Sequence, residues 1–200
     1  MAIIPLSSKL RVASVSWELD RPAQSNESGW TGSEQIRSQP WHARWYGSLT
    51  LSTLVGQSSA RPLRSFVVSL DGIVNSFRLP AVEANQHSLA GVQSLYGPAA
   101  AGATTILTKG WTAGQPALLD GDGFALNDQL HFLTQDPTPH AEATARYLTF
   151  RPPLRKSALA DTIIETKRPW ALVACVSSRV GWGVGPGQTY TASFQVKERF

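Results

Sequence analysis

Residues 106–135 read ILTKGWTAGQPALLDGDGFALNDQLHFLTQ. Two β-type runs, Leu118-Leu119 and residues 129–134, flank a turn-rich centre, Asp120-Gly121-Asp122-Gly123. Asp-Gly pairs tolerate positive φ and let a strand fold back sharply. Phe124 and Leu126, then Leu130, Phe132 and (out of phase) Leu133, place apolar side chains at close to period two. The stretch predicts a compact β-meander with no catalytic character.

The same alternation recurs on both sides. Residues 10–19 put Val15, Trp17 and Leu19 on one face of a strand. Residues 20–38 are polar and rich in Ser, Gly, Asn and Gln around Trp30-Thr31-Gly32, which predicts a loop or a hairpin arm with little core of its own. Residues 41–55 predict a strand through Trp45, Leu49, Leu51, Thr53 and Val55, with Pro40 suited to its start or to an edge. The single expected helix spans residues 60–71. Leu63, Phe66, Val67 and Leu70 sit at i, i+3, i+4 and i+7, Pro62 suits a first turn, Ser58 or Ser59 a cap and Gly72 a stop.

Residues 74–79 return to a strand closed by Pro80. Residues 81–105 have no clear period and predict a loop crossing into a separate unit. After the breakers Pro137 and Pro139, residues 145–150 predict a strand that buries Tyr147 and Leu148, ended rigidly by Pro152-Pro153. Residues 170–177 form a continuous apolar run suited to a central strand. Residues 181–187 predict a turn, and residues 189–199 a last strand with Tyr190, Ala192, Phe194 and Val196 inward. Many short strands separated by turns, with one helix, make a mainly β protein: a β-sandwich carrying a small inserted β-barrel.

Composition narrows the function. Two hundred residues can bury a core without staples, and 42% of them are apolar. Charged residues make up only 16%, against about a quarter in an average globular chain. Seven Trp and seven Phe give large side chains to bury or to offer at an interface, which fits an assembly subunit and equally a β-rich monomer. The net charge of +4 is spread along the chain. Its nearest cluster, Arg151, Arg155, Lys156, Lys167 and Arg168, is interrupted by Asp161 and Glu165, a poor match to a nucleic-acid face. The one cysteine, Cys175, excludes an internal disulfide and Cys-based metal motifs, and its apolar surroundings suit a buried small hydrophobe. The first residues lack the pattern of a signal peptide, and no apolar run approaches the roughly twenty residues of a membrane helix, so a soluble protein made in a cytoplasm is expected.

No catalytic, cofactor-binding or metal-ligating residue is assigned. Asp120-x-Asp122 begins like a calcium loop, but the fifth and twelfth positions hold Phe124 and His131 where oxygen ligands are needed. Gly183 and Gly185 open no helix, so no phosphate loop follows. His42, His87, His131 and His140 have no metal-ligand spacing, and no nucleophile elbow occurs. Trp30, Trp41, Trp45 and Trp111 could stack on sugars, although Trp17 and Trp45 fall in strand patterns where core packing is the default.

Several phrases recur in a fixed order: Trp17-Glu18-Leu19-Asp20-Arg21-Pro22 and Gly29-Trp30-Thr31-Gly32; Arg61-Pro62 and residues 70–80 (LDGIVNSFRLP); Phe150-Arg151-Pro152-Pro153-Leu154-Arg155 and Arg168-Pro169-Trp170; and residues 181–187 (GWGVGPG), followed by 190–194. Together with residues 106–135, they make the chain resemble the bacteriophage distal tail protein family. That family carries in the place of 106–135 a phrase of the form GD-aromatic-apolar … apolar-GDQLY-apolar-apolar-T. The resemblance implies a virion structural protein, assembled in the host cytoplasm into a hexameric ring at the distal end of the tail. The ring would join tail tube to tip, hub or receptor-binding proteins, with a trimeric neighbour in the tip as the other placement. Residues 1–82 and 166–200 would build the ring sandwich and 83–165 the inserted barrel. It implies no catalytic residue, cofactor, sequence-specific nucleic acid or membrane. The alternative class is a carbohydrate- or cell-surface-binding module on the barrel.

Overall fold

An apolar run with no polar face belongs inside a sheet. In the computed structural model, which describes residues 1–39, 42–89, 91–113 and 118–199, the run beginning at Trp170 lies there. The first part of the chain forms β1 (Val12–Asp20), the hairpin β2 (Ala23–Glu27) and β3 (Glu34–Ser38), then β4 (Arg44–Leu51), β5 (Leu54–Val55), the helix α1 (Gln57–Leu70) and β6 (Phe77–Pro80). The middle forms β7 (Gln93–Leu95), β8 (Thr105–Lys109), β9 (Gly123–Leu126), β10 (Gln129–Leu133), β11 (Thr138–Pro139), β12 (Arg146–Arg151) and β13 (Ile163–Ile164). The last part returns as β14 (Trp170–Cys175), β15 (Gly183–Gly185), β16 (Thr189–Thr191) and β17 (Ser193–Glu198). The protein is mainly β.

The outer parts of the chain build a curved five-stranded sheet, β1-β4-β17-β14-β6, a half-barrel packed against α1. Leu63, Phe66, Val67 and Leu70 of α1 are buried against Leu49, Phe77, Val173 and Phe194. Phe66 meets Phe77 edge to face at 5.3 Å. The middle builds a seven-stranded sheet, β13-β7-β8-β12-β10-β9 with β11 beside β12. Its ends meet: Ala125 and Glu165 exchange backbone hydrogen bonds of 2.8 and 2.9 Å, which closes the sheet into a barrel. Its own core contains Leu95, Ile106, Trp111, Phe124, Leu148 and Phe150.

The predicted inward alternation at Tyr190, Ala192, Phe194 and Val196 is observed, but the strand breaks at Ala192. β16 pairs with β5 and β15 in a small sheet, and β17 pairs with β4 and β14. Part of the expected 181–187 turn is therefore a strand, β15, because Gly183 to Gly185 have a paired edge at β16. The strand predicted over residues 74–79 begins three residues late, at Phe77; Val74 and Asn75 instead close the helix end by hydrogen bonds to Asp71 and Leu70. The strand expected from Trp41 starts at Arg44, and Pro40 and Trp41 lie outside the described residues.

The helix starts earlier than predicted, at Gln57, behind Gly56 with φ 83° and no side-chain cap. Ser58 and Ser59 thus fall inside it, and Pro62 lies beyond its first turn. The bond missing at Pro62 leaves the carbonyl of exposed Ser58 to water, so the proline is tolerated. The stop is shared: Asp71 and Gly72 both take positive φ, and a Cβ on Gly72 would stand 2.7 Å from the Ser178 carbonyl.

The Asp-Gly pairs do not make the hairpin of the meander. Gly121 has φ 83° in a loop, but the reversal between β9 and β10 is Asn127-Asp128, with φ of 51° and 62°, a two-residue type I′ turn. Leu118 is buried outside any strand and Leu119 is exposed. Asn tolerates the left-handed region better than Ala. Asn127→Ala is therefore expected to cost about 1 kcal/mol in urea unfolding and Asn127→Gly to cost none of it. Tyr147, expected inside, points outward and is 38% exposed, because its neighbour Leu148 takes the inward position.

Candidate functional site

Two features of the half-barrel stand out, an exposed arm and a groove. The first is the polar segment after β1. With no apolar period it cannot join a core, and it forms the two-stranded arm β2–β3, paired from Ala23↔Ser38 to Glu27↔Glu34. All ten strand residues are exposed. At its tip, the Gly32 N–H donates to the Ser28 carbonyl at 2.8 Å, and Trp30 is 96% exposed. Ile36 is 64% exposed on the same arm. A Trp ring held fully in water is unsatisfied surface.

The second is the seam left by the open sheet. β1 and β6 are its two edge strands, and residues from both line a groove of about 980 Å³. Leu10, Val15 and Trp17 contribute apolar surface, and Arg11, Arg78 and Arg168 outnumber Glu83 on the rim. The Trp17 indole N–H is buried and has no partner among the described residues.

Where the barrel meets the half-barrel, the joint is polar and buried. The carboxylate of Glu198, at the end of β17, is fully buried and accepts from Arg155 Nη2 at 2.6 Å, from the Leu130 N–H at 3.1 Å and from the Trp45 N–H at 3.3 Å. Arg155 also donates through Nε to the Ala43 carbonyl at 2.9 Å, and the Gln129 side chain bridges Pro153 and the Arg155 N–H. The turn residue Asp128 accepts from Arg78 at 2.9 Å and Trp170 Nε1 at 3.2 Å. Leu130 and Phe132 of β10 pack against the first core.

The sequence candidates are placed apart. Trp45 is half-buried, donates through Nε1 to the Leu130 carbonyl at 3.0 Å and packs edge to face on Trp17 and Phe132. Trp111 is buried with Nε1 donating to Thr108 Oγ1 at 2.8 Å. With Trp111 inside the barrel core, Trp45 packed on the half-barrel core and Trp30 out on the arm, the described tryptophans among these make no common platform, and Trp41 lies outside the described residues. Asp122 caps its own loop by accepting from the Leu119 N–H at 2.8 Å. Among the described residues, no three His, Cys, Asp or Glu side chains are grouped to hold a metal. The basic cluster separates, with Arg155 inside the joint and Arg168 on the seam. Cys175 is buried in the first core, and burial pushes its thiol pKa up. No described helix is long and apolar enough to cross a membrane.

The histidines are structural or peripheral. His87 accepts from the Leu89 N–H at Nδ1 and reaches Thr166 at 2.9 Å, and burial, helped by Lys167, lowers its pKa. His42 is exposed. His131 is fully buried between Phe124 and Phe150, its Nδ1 2.7 Å from the Pro152 carbonyl. Its Nε2 meets no partner among the described residues, so the ring is neutral with the proton on Nδ1. Burial pulls its pKa down from 6.5 to about 3.

This depressed value fixes a sign. The unfolded chain binds a proton at His131 below pH 6.5 that the folded chain refuses until about pH 3. The stability linked to this group is complete above pH 6.5 and falls by about 1.4 kcal/mol per pH unit as pH drops through that window. Urea unfolding at a series of pH values should show this slope, reduced by about one proton in His131→Gln.

Neither protein-family models nor curated proteins give a match to this chain.

Proposed function

We propose that this protein is a structural subunit of a phage tail, a ring at the tail's distal end that connects the tube to the tip and receptor-binding proteins. The observation that carries the reading is the β2–β3 arm, whose strands are wholly exposed and whose tip presents Trp30. A subunit that grips its neighbour has a use for such an arm, and a monomer has none. The ordered phrases shared with distal tail proteins, the half-barrel with one helix and the barrel carried within it support the same role. The arm of one subunit and the seam of the next form two different patches. Such a heterologous contact closes into a ring when its rotation divides a full turn. The carboxylates Glu27 and Glu34 on the arm complement the arginines on the groove rim. In this role the protein performs no catalysis and resides in the virion.

Light scattering across a concentration series tests the reading. The expected mass is six times the 21.6 kDa of the chain. A monomer at every concentration, both alone and with purified tail tube and tip proteins, would overturn it. A strongly basic lumen in the assembled ring would also count against it, since such a lumen would grip passing DNA.

A further inference from the structure

The register of the arm decides which of its side chains share a face. Cross-strand partners lie on one side of a hairpin, and alternate residues follow them. One face therefore carries Ser25 opposite Ile36 and Glu27 opposite Glu34. The other carries Gln24 opposite Arg37 and Asn26 opposite Gln35. Both carboxylates of the arm thus stand with its exposed isoleucine, next to the tip that presents Trp30. Like charges directly opposite each other weaken a strand pair, and a two-stranded ribbon in water is marginal to begin with. Ser25 Oγ donates to Glu34 Oε1 at 2.5 Å, but among the described residues neither glutamate forms an ion pair. A glutamate pair built into the least supported strands of the chain calls for a cation from outside the arm.

The groove between β1 and β6 holds such cations. Arg11 and Arg168 are exposed on its rim, while Arg78 is engaged with Asp128 and the Trp170 ring. The lining below is apolar at Leu10, Val15 and Trp17, and the buried Trp17 indole N–H has no acceptor among the described residues. An occupant must bring an apolar side chain, an acceptor for that N–H and negative charge for the rim. The Ile36 face of the arm brings all three; the opposite face brings amides and a cation, which the rim repels. We propose that the groove takes the Ile36 face of a second copy's arm, with Glu27 and Glu34 paired to the partner subunit's Arg11 and Arg168. The proposal rests on the tail-ring reading for contact between copies, though not for their number.

Charge reversal in the full chain tests it at four exposed positions. Glu27→Arg with Glu34→Arg reverses the arm, and Arg11→Glu with Arg168→Glu reverses the groove rim. By light scattering, each double variant alone should associate about a hundredfold more weakly than the native chain. Mixed in equal amounts the two should recover association, because each arm then finds a rim of opposite sign. Alternation of the two is compatible with a closed ring of even number. Asn26→Arg with Gln35→Arg places cations on the opposite face and should assemble like the native chain, with far-UV circular dichroism unchanged in all three. Reversed chains that assemble like the native one overturn the proposal and leave the ring reading in place. So does a mixture that stays apart, or an opposite-face variant that loses assembly as fully. A mixture that recovers association, from chains that never reach the hexameric mass even with tube and tip proteins, upholds the paired contact and sinks the ring. Native chains that never associate overturn both.

Discussion

Deleting residues 24–36 should yield a folded monomer. The deletion takes out the arm between Ala23 and Arg37 and touches no side chain of either core. Among the described residues its hydrogen bonds are internal: β2 pairs with β3, and Ser25, Thr31 and Ser33 bond within the arm. The circular dichroism spectrum and the urea midpoint should therefore match the intact chain within about 0.5 kcal/mol. Assembly should be lost outright, as read by light scattering. Trp30→Ala should weaken assembly on the order of thirtyfold, the loss of one central aromatic anchor worth about 2 kcal/mol. A deletion variant that still forms the full oligomer would remove the arm from the assembly contact.

The second large effect is expected at Glu198. Its carboxylate is fully buried and satisfies Arg155 Nη2, the Leu130 N–H and the Trp45 N–H together. Glu198→Ala removes the carboxylate that balances the buried guanidinium charge and takes the side-chain acceptor from two backbone donors in the joint. Breaking a buried pair from one side costs about 3–5 kcal/mol. Replacing both partners with apolar side chains, Glu198→Leu with Arg155→Met, should recover much of the loss, because no lone buried charge remains. The contrast is Asp128→Asn. It weakens the Arg78–Asp128 pair, whose side chains are 51% and 28% exposed, and pairs that water reaches are worth no more than about 1 kcal/mol. Equal losses in the two cases, measured by urea unfolding, would refute the account of the joint.

How far the sequence was legible follows from what each signal encodes. Period-two runs such as 190–196 and the i, i+3, i+4, i+7 face of α1 report one-sided burial, and there the inward residues agree with the structure. Periodicity does not say which sheet a strand joins. The break at Ala192, which hands the chain from β16 to β17, therefore left no trace in the pattern. Turn chemistry misled at the meander because Asp-Gly is the commoner type I′ pair, while the reversal fell on Asn127-Asp128. Glu198 continues the inward phase of Phe194 and Val196, so its burial could have been read; its partner Arg155, 43 residues away, could not. The outward grouping of Tyr96, Lys109 and Tyr147 left no trace in the sequence, where Tyr147 read as a buried residue, because a cross-strand cluster exists only once β7, β8 and β12 are in register. The arm was legible through its lack of period.

One feature of the topology bears on how this chain can change. The barrel begins and ends where β6 and β14 lie paired, Pro80 opposite Trp170, with the Ala81 N–H bonded to the Pro169 carbonyl at 2.8 Å. To the half-barrel, everything from residue 81 to 169 is the loop of a single β-hairpin. The entropy of closing a loop grows only with the logarithm of its length, about 0.6 kcal/mol per doubling. Lengthening, shortening or exchanging the barrel therefore taxes the half-barrel lightly, as long as the joint around Glu198 is rebuilt or dissolved with it. The half-barrel and the barrel can therefore vary at separate rates.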